Sequence, residues 1–102
     1  MPDDVHFICR QGDGHRMVDR EQGTWESGDW HVGDAAADRL IGGRLYLHER
    51  QDERAWHGGT IESWRPVEGE PGRKKIFTYR VDGPFRITHR EGWAQQVAYV
   101  RR

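Results

Sequence analysis

By residue type, six histidines and one cysteine are the groups in this 102-residue chain best suited to chemistry. His6, His15, His31, His48, His57 and His89 include no pair four residues apart on a helical stretch, and no cysteine pair accompanies them, so the spacing predicts no metal site. His48 and Glu49 are neighbours on a predicted strand, which sends their side chains to opposite faces and prevents them from acting as a pair. No serine occupies a nucleophile elbow, and a His-x-Glu followed by a cysteine pair, as in zinc deaminases, is absent. Cys9 alternates with Val5 and Phe7, which makes it a core residue; a nucleophile would need a base and an electropositive site that the sequence does not indicate. Gly12-Asp13-Gly14 lacks the lysine and helix entry of a phosphate loop and reads as a turn. The chain therefore presents no catalytic set and calls for no cofactor.

What it does offer is an aromatic and basic set. Tyr46, His48 and Arg50 alternate against Leu45 and Leu47, while Trp25, Trp30, Trp56, Trp64 and Trp93 fall in loops or near strand ends. Flat rings can sandwich a base, and polar neighbours can read its edge. The expected ligand pocket consists of Trp30, Tyr46, His48 and Trp93. Formal charge divides along the chain, with −6 over residues 1–64 and +5 over residues 65–102. That bias suits a polyanion, and Arg73, Lys74, Lys75, Arg86 and Arg90 are the expected contacts to a nucleic-acid backbone. The plainer readings are that the basic residues solvate strand faces, that Trp25 and Trp30 close over a small core, and that the Tyr46 face packs against the helix as a second minicore.

The elements that must position these residues follow from period and punctuation. Val5–Arg10 alternates as a first strand; Arg20–His31 is a loop or short strand. Asp34 can cap a two-turn helix over residues 35–41, and Gly42 can take the left-handed conformation that ends it. A strand from Arg44, a turn over Gln51–Arg54 and a return strand Trp56–Trp64 make a hairpin, with Gly58-Gly59 marking a bulge or a close backbone approach. Arg65–Arg73 is a loop. Strands follow over Lys74–Asp82, Phe85–His89 and Gln96–Val100, with a loop around Trp93. The expectation is an α+β, mostly β fold: about six strands in a small antiparallel sheet curled into a barrel, with one short helix.

Length allows one domain, residues 1–102, and one core. A single cysteine leaves no internal disulfide, and no apolar run approaches a membrane span, which points to a cytoplasmic protein. The order of elements resembles the PUA-like superfamily of EVE, ASCH and YTH domains. The residues that carry the likeness are a glycine-rich entry to an apolar strand (Gly42-Gly43-Arg44-Leu45-Tyr46-Leu47), a return strand with Gly58-Gly59-Thr60-Ile61, and late strands around Phe77–Val81 and Val97–Val100. Arg44 stands where EVE domains have Asp, and the ASCH-type Gly-x-Lys-x-x-Glu signature is missing. The resemblance implies a pseudobarrel that binds RNA or a modified nucleotide in DNA, with the ligand between barrel and helix. The resulting expectation is a nucleic-acid-binding domain that reads a modified or flipped base. Its alternatives are a small enzyme of this fold, a nuclease or nucleotide hydrolase with His48 or His31 as base, and a protein-interaction module anchored by exposed tryptophans.

Overall fold

The computed structural model describes residues 2–11, 15–69 and 74–101. Among these, the chain forms seven strands and one helix: β1 (Asp4–Ile8), β2 (His15–Asp19), β3 (Thr24–His31), α1 (Asp34–Leu40), β4 (Arg44–His48), β5 (His57–Pro66), β6 (Lys74–Arg80) and β7 (Val97–Val100). They make one mixed sheet in the order β2-β3-β6-β5-β4-β1-β7. The fold is mostly β with a single short helix. The barrel expectation needs correcting, because β2 and β7 end the sheet without pairing and the ladder stays open. Every neighbouring pair is antiparallel except β1 and β4, which run parallel with Val5 opposite Leu45 and Phe7 opposite Leu47. Parallel neighbours need a long crossover, and here β2, β3 and α1 supply it.

The helix is placed almost where its sequence predicts, but its start differs. Gly33 takes the cap position without a side-chain hydrogen bond, and Asp34 is the first helical residue. Asp34 pairs instead with Lys75 Nζ at 2.9 Å. At the other end Gly42 has φ +87°, as its role in stopping the helix requires, and its amide donates to Ile61 O. Gly59 marks a close approach: a Cβ there would collide with the Arg80 carbonyl oxygen. The bulge in this strand lies further on, between Ile61 and Ser63.

Alternation sorts the core as expected on one side of the sheet. Val5, Phe7, Leu45, Leu47, Ile61, Phe77 and Tyr79 are buried together with Ala37 and Leu40 of the helix. Cys9 belongs to the same cluster. Each buried Val, Leu, Ile or Phe side chain contributes about 1.5–3 kcal/mol through removal from water. Three segments depart from the sequence reading, the first being His15–Asp19, for which the pattern predicts no element and which forms β2. The stretch expected to be a loop or short strand is the eight-residue β3, and Phe85–His89 forms no strand. Residues 81–96 instead cross the other side of the sheet as irregular chain, anchored by Arg44 Nη2 to Pro84 O at 2.8 Å and by Ala55 N to Ile87 O at 2.9 Å. Gly12-Asp13-Gly14 and residues 70–73 of the predicted loop lie outside the described residues.

Candidate functional site

The predicted pocket divides across the sheet. Tyr46 and His48 share a face, as alternation predicts, and Trp93 of the following loop joins them, but Trp30 lies on the opposite side. Its indole stacks on Phe7 with ring centroids 4.1 Å apart and planes 5° from parallel, and its Nε1 donates to Ser27 Oγ at 2.9 Å. The plainer reading of Trp30 as a cover for the core therefore describes its inner face, since it packs against the buried cluster while staying half-buried itself.

Tyr46 and His48 belong to a layer of rings that the sequence reading did not assemble. His6, on the side of β1 away from Phe7, stacks on Tyr46 at 4.6 Å and on His89 at 4.1 Å. Trp93 meets His48 edge-on at 5.5 Å and His6 at 6.2 Å. The layer is a second minicore, but it packs beneath residues 81–96 and not against the helix. One hydrogen-bonded chain runs through it. His48 Nδ1 is 2.9 Å from Glu53 O, so this nitrogen carries the proton, and His48 Nε2 accepts from His6 Nδ1 at 2.7 Å. Burial holds the His6 imidazolium well below the usual range, to about 3, and the nearby His89 and His48 add to the effect. Burial likewise lowers His48, against the opposing bond to Glu53 O. Both rings are neutral at physiological pH. His48 is fully buried with both nitrogens engaged, so it cannot meet a substrate as a general base while the layer is closed.

One open space lies beside Trp30. Phe7, Asp29, Trp30, His31, Ala94, Gln95, Gln96 and Val97 line a groove of about 160 Å³. One wall is the end of β3; the other is the chain just after Trp93. That second wall is held by its own backbone, through Ile8 N to Gln96 O at 2.9 Å and Gln51 Nε2 to Gln95 O at 2.9 Å. Gln95 sits at φ 59°, a left-handed conformation uncommon outside glycine. Gln95, Gln96, Asp29 and His31 are exposed. The groove thus combines an indole, two amide side chains and a carboxylate. It is smaller than the roughly 300–1,000 Å³ of sites that enclose whole drug-sized ligands, and suits a single planar group. Gln95, Gln96 and Asp29 were not singled out in the sequence. No local pattern marks them, because the β3 wall and the β7 approach meet only through the fold.

The expected backbone contacts are unequal. Arg90 is exposed, and Arg86 is exposed with its guanidinium 5.4 Å from the Phe85 ring centroid. Lys74 is half-buried opposite His31. Lys75 is only 1% exposed, pairs with Asp34 and lies 5.1 Å from the Trp64 ring centroid, so its ammonium is engaged within the fold. Arg73 lies outside the described residues. All five tryptophans are half-buried, which leaves Met17, Val18, Ile41 and Ile87 as the exposed large apolar side chains among the described residues. Among the described residues no group of His, Cys, Asp or Glu is placed to hold a metal ion, and no helix is long and apolar enough to cross a membrane.

A further ring cluster, also unanticipated, surrounds His15 on the core side of the sheet. Trp25, Trp56 and His57 enclose its imidazole, and His15 Nδ1 is buried without a hydrogen-bond partner. His57 Nδ1 lies 2.8 Å from Tyr79 Oη. Burial lowers His57 to about 4, with His15 adding to the effect, and burial raises the Tyr79 hydroxyl above its ordinary value. No known protein family, curated protein or solved structure matches the chain.

Proposed function

We propose that the chain is a nucleic-acid-binding domain that holds one unpaired base of RNA or of modified DNA in the groove between Trp30 and Gln95–Gln96. The observation that carries this reading is the make-up of the groove: an indole on one side and two amide side chains on a backbone held in place on the other, in a space suited to a single planar group. Bases are recognised by stacking on aromatic rings and by hydrogen bonds to their edges, and amide side chains supply both donor and acceptor. Asp29 makes the groove unfavourable for a phosphate, so the backbone of the nucleic acid stays outside it, and the positive charge of the C-terminal third, which includes the exposed Arg86 and Arg90, favours a polyanion.

The test is a titration of the labelled protein with short single-stranded RNA and DNA, with and without base methylation, followed by amide and indole NMR shifts. The expected result is saturable shifts at Trp30, Gln95 and Gln96. Affinity should fall steeply with salt, because Lys and Arg release condensed counterions from each phosphate they neutralise. Absence of binding at low salt, or shifts confined to residues away from the groove, would overturn the proposal.

A further inference from the structure

The rings around His15 form three walls of a cage. Its imidazole lies parallel to the Trp25 indole, with centroids 4.8 Å apart and planes at 9°. Trp56 closes a second side at 4.9 Å and 82°, and His57 a third at 5.3 Å and 67°. Trp25 and His57 also meet directly, edge to face, at 4.7 Å. The walls are held without help from His15. Trp56 Nε1 donates to Cys9 O at 2.7 Å, His57 is tied to Tyr79 Oη, and Trp25 sits in β3 opposite Tyr79 of β6. The resident imidazole is the least well-held member, since its Nδ1 is buried with no partner. His15, Trp25, Trp56 and His57 are all only half-buried, so the cage reaches the surface.

We propose that this cage is a binding site for a quaternary ammonium group, and that His15 occupies it in the free protein. The negative faces of indole and imidazole rings attract a cation, and a fully methylated one needs no hydrogen-bond partner. The cage supplies none at the point where His15 Nδ1 lies. His57 is kept neutral by its burial, so it adds a ring face without adding a repelling charge. A neutral heteroaromatic ligand would leave its own polar edge unpaired there, as His15 does, and is the poorer occupant. Entry requires the His15 side chain to swing out from the end of edge strand β2, a movement that need not disturb the walls.

The experiment titrates the full chain and His15→Ala with tetramethylammonium chloride, against tert-butyl alcohol as the neutral isostere, reading the indole Nε1–H signals of Trp25 and Trp56. The expected result is saturable shifts with the cation in both proteins, at least tenfold tighter in His15→Ala, and no saturable shift with the alcohol. A Trp56→Leu change should weaken cation binding at least tenfold in either background. Should His15→Ala fail to fold, His15→Ser replaces it, and the wild-type titration decides on its own. No cation-induced shift at these two indoles, or equal response to cation and alcohol, would overturn the proposal.

Discussion

The two sides of β4 are both buried, yet they are buried by different chemistry. Leu45 and Leu47 face Val5, Phe7 and the helix, where contacts are apolar and need only volume to match. Tyr46 and His48 face His6, His89 and Trp93, where stacking is combined with a hydrogen-bonded chain that ends on the Glu53 carbonyl. On the first side a lost side chain costs packing; on the second it also strands a polar partner. The contacts of Leu45 and Leu47 do not titrate, while the second side is stable only as long as its imidazoles are neutral.

The comparison is broken most severely on the leucine side. Leu47→Ala should cost about 2–5 kcal/mol in urea unfolding, the range for buried Leu truncations, through lost transfer energy and the cavity left behind. A cost near zero would mean that Leu47 is not part of a close-packed core. His48→Phe keeps a ring in the second layer but removes both bonds, leaving His6 Nδ1 and Glu53 O unpaired, and should cost about 1–3 kcal/mol. A stable His48→Phe protein would show that the layer is held by stacking alone.

Acid separates the two sides further. His6 is lowered from 6.5 to about 3 in the folded chain, so the unfolded chain binds its proton first. The stability this group confers is complete above pH 6.5 and is lost as pH falls from 6.5 toward 3. Between pH 7 and 5.5 the loss from His6 is about 1 kcal/mol. His6→Phe should flatten that part of the curve of Tm against pH, although His57, lowered to about 4 on the other side of the sheet, keeps some slope in the same direction. An unchanged curve in His6→Phe would locate the acid sensitivity elsewhere.

How much of this was legible depends on whether a feature is local. The helix, the β4–β5 hairpin and the alternation of β6 are set by neighbours in sequence, and they appear within a residue or two of where pattern and punctuation put them. The faces of β4 were legible for the same reason. What covers each face was not: alternation distinguishes two sides without saying whether the second meets water, a helix or irregular chain. Trp30 was assigned to the Tyr46 side because sequence offers no common reference between strands. That reference is the ladder, in which Trp30 sits opposite Lys75 and comes round to Phe7. The parallel pairing of β1 with β4 and the meeting of Asp29 with Gln95–Gln96 are long-range facts of the same kind. β3 was obscured by its own residues, since Gly28 and Asp29 interrupt a strand that pairing on both sides nevertheless sustains.

The smallest expected effect bears on the border between the two sides, where Trp93 turns into the ring layer and the next residues turn to the groove. Gln95 is held at φ 59°, and such a non-glycine residue costs of order 1 kcal/mol relative to an ordinary conformation. Gln95→Gly removes that cost but adds unfolded-state entropy of about 0.5–1 kcal/mol, so stability should change by less than about 1 kcal/mol. The Gln51 bond survives, because it is made to the backbone carbonyl. What disappears is the amide at the groove wall. If that wall reads a base, affinity for a single-stranded oligonucleotide should fall several-fold while Tm stays nearly level. Gln95→Asn, which keeps an amide and tolerates the left-handed conformation, should retain more of the affinity than Gly. Equal affinity in the wild type, Asn and Gly proteins would mean that the strained residue shapes only the chain's path into β7, and the base would have to be read from the Trp30 side alone.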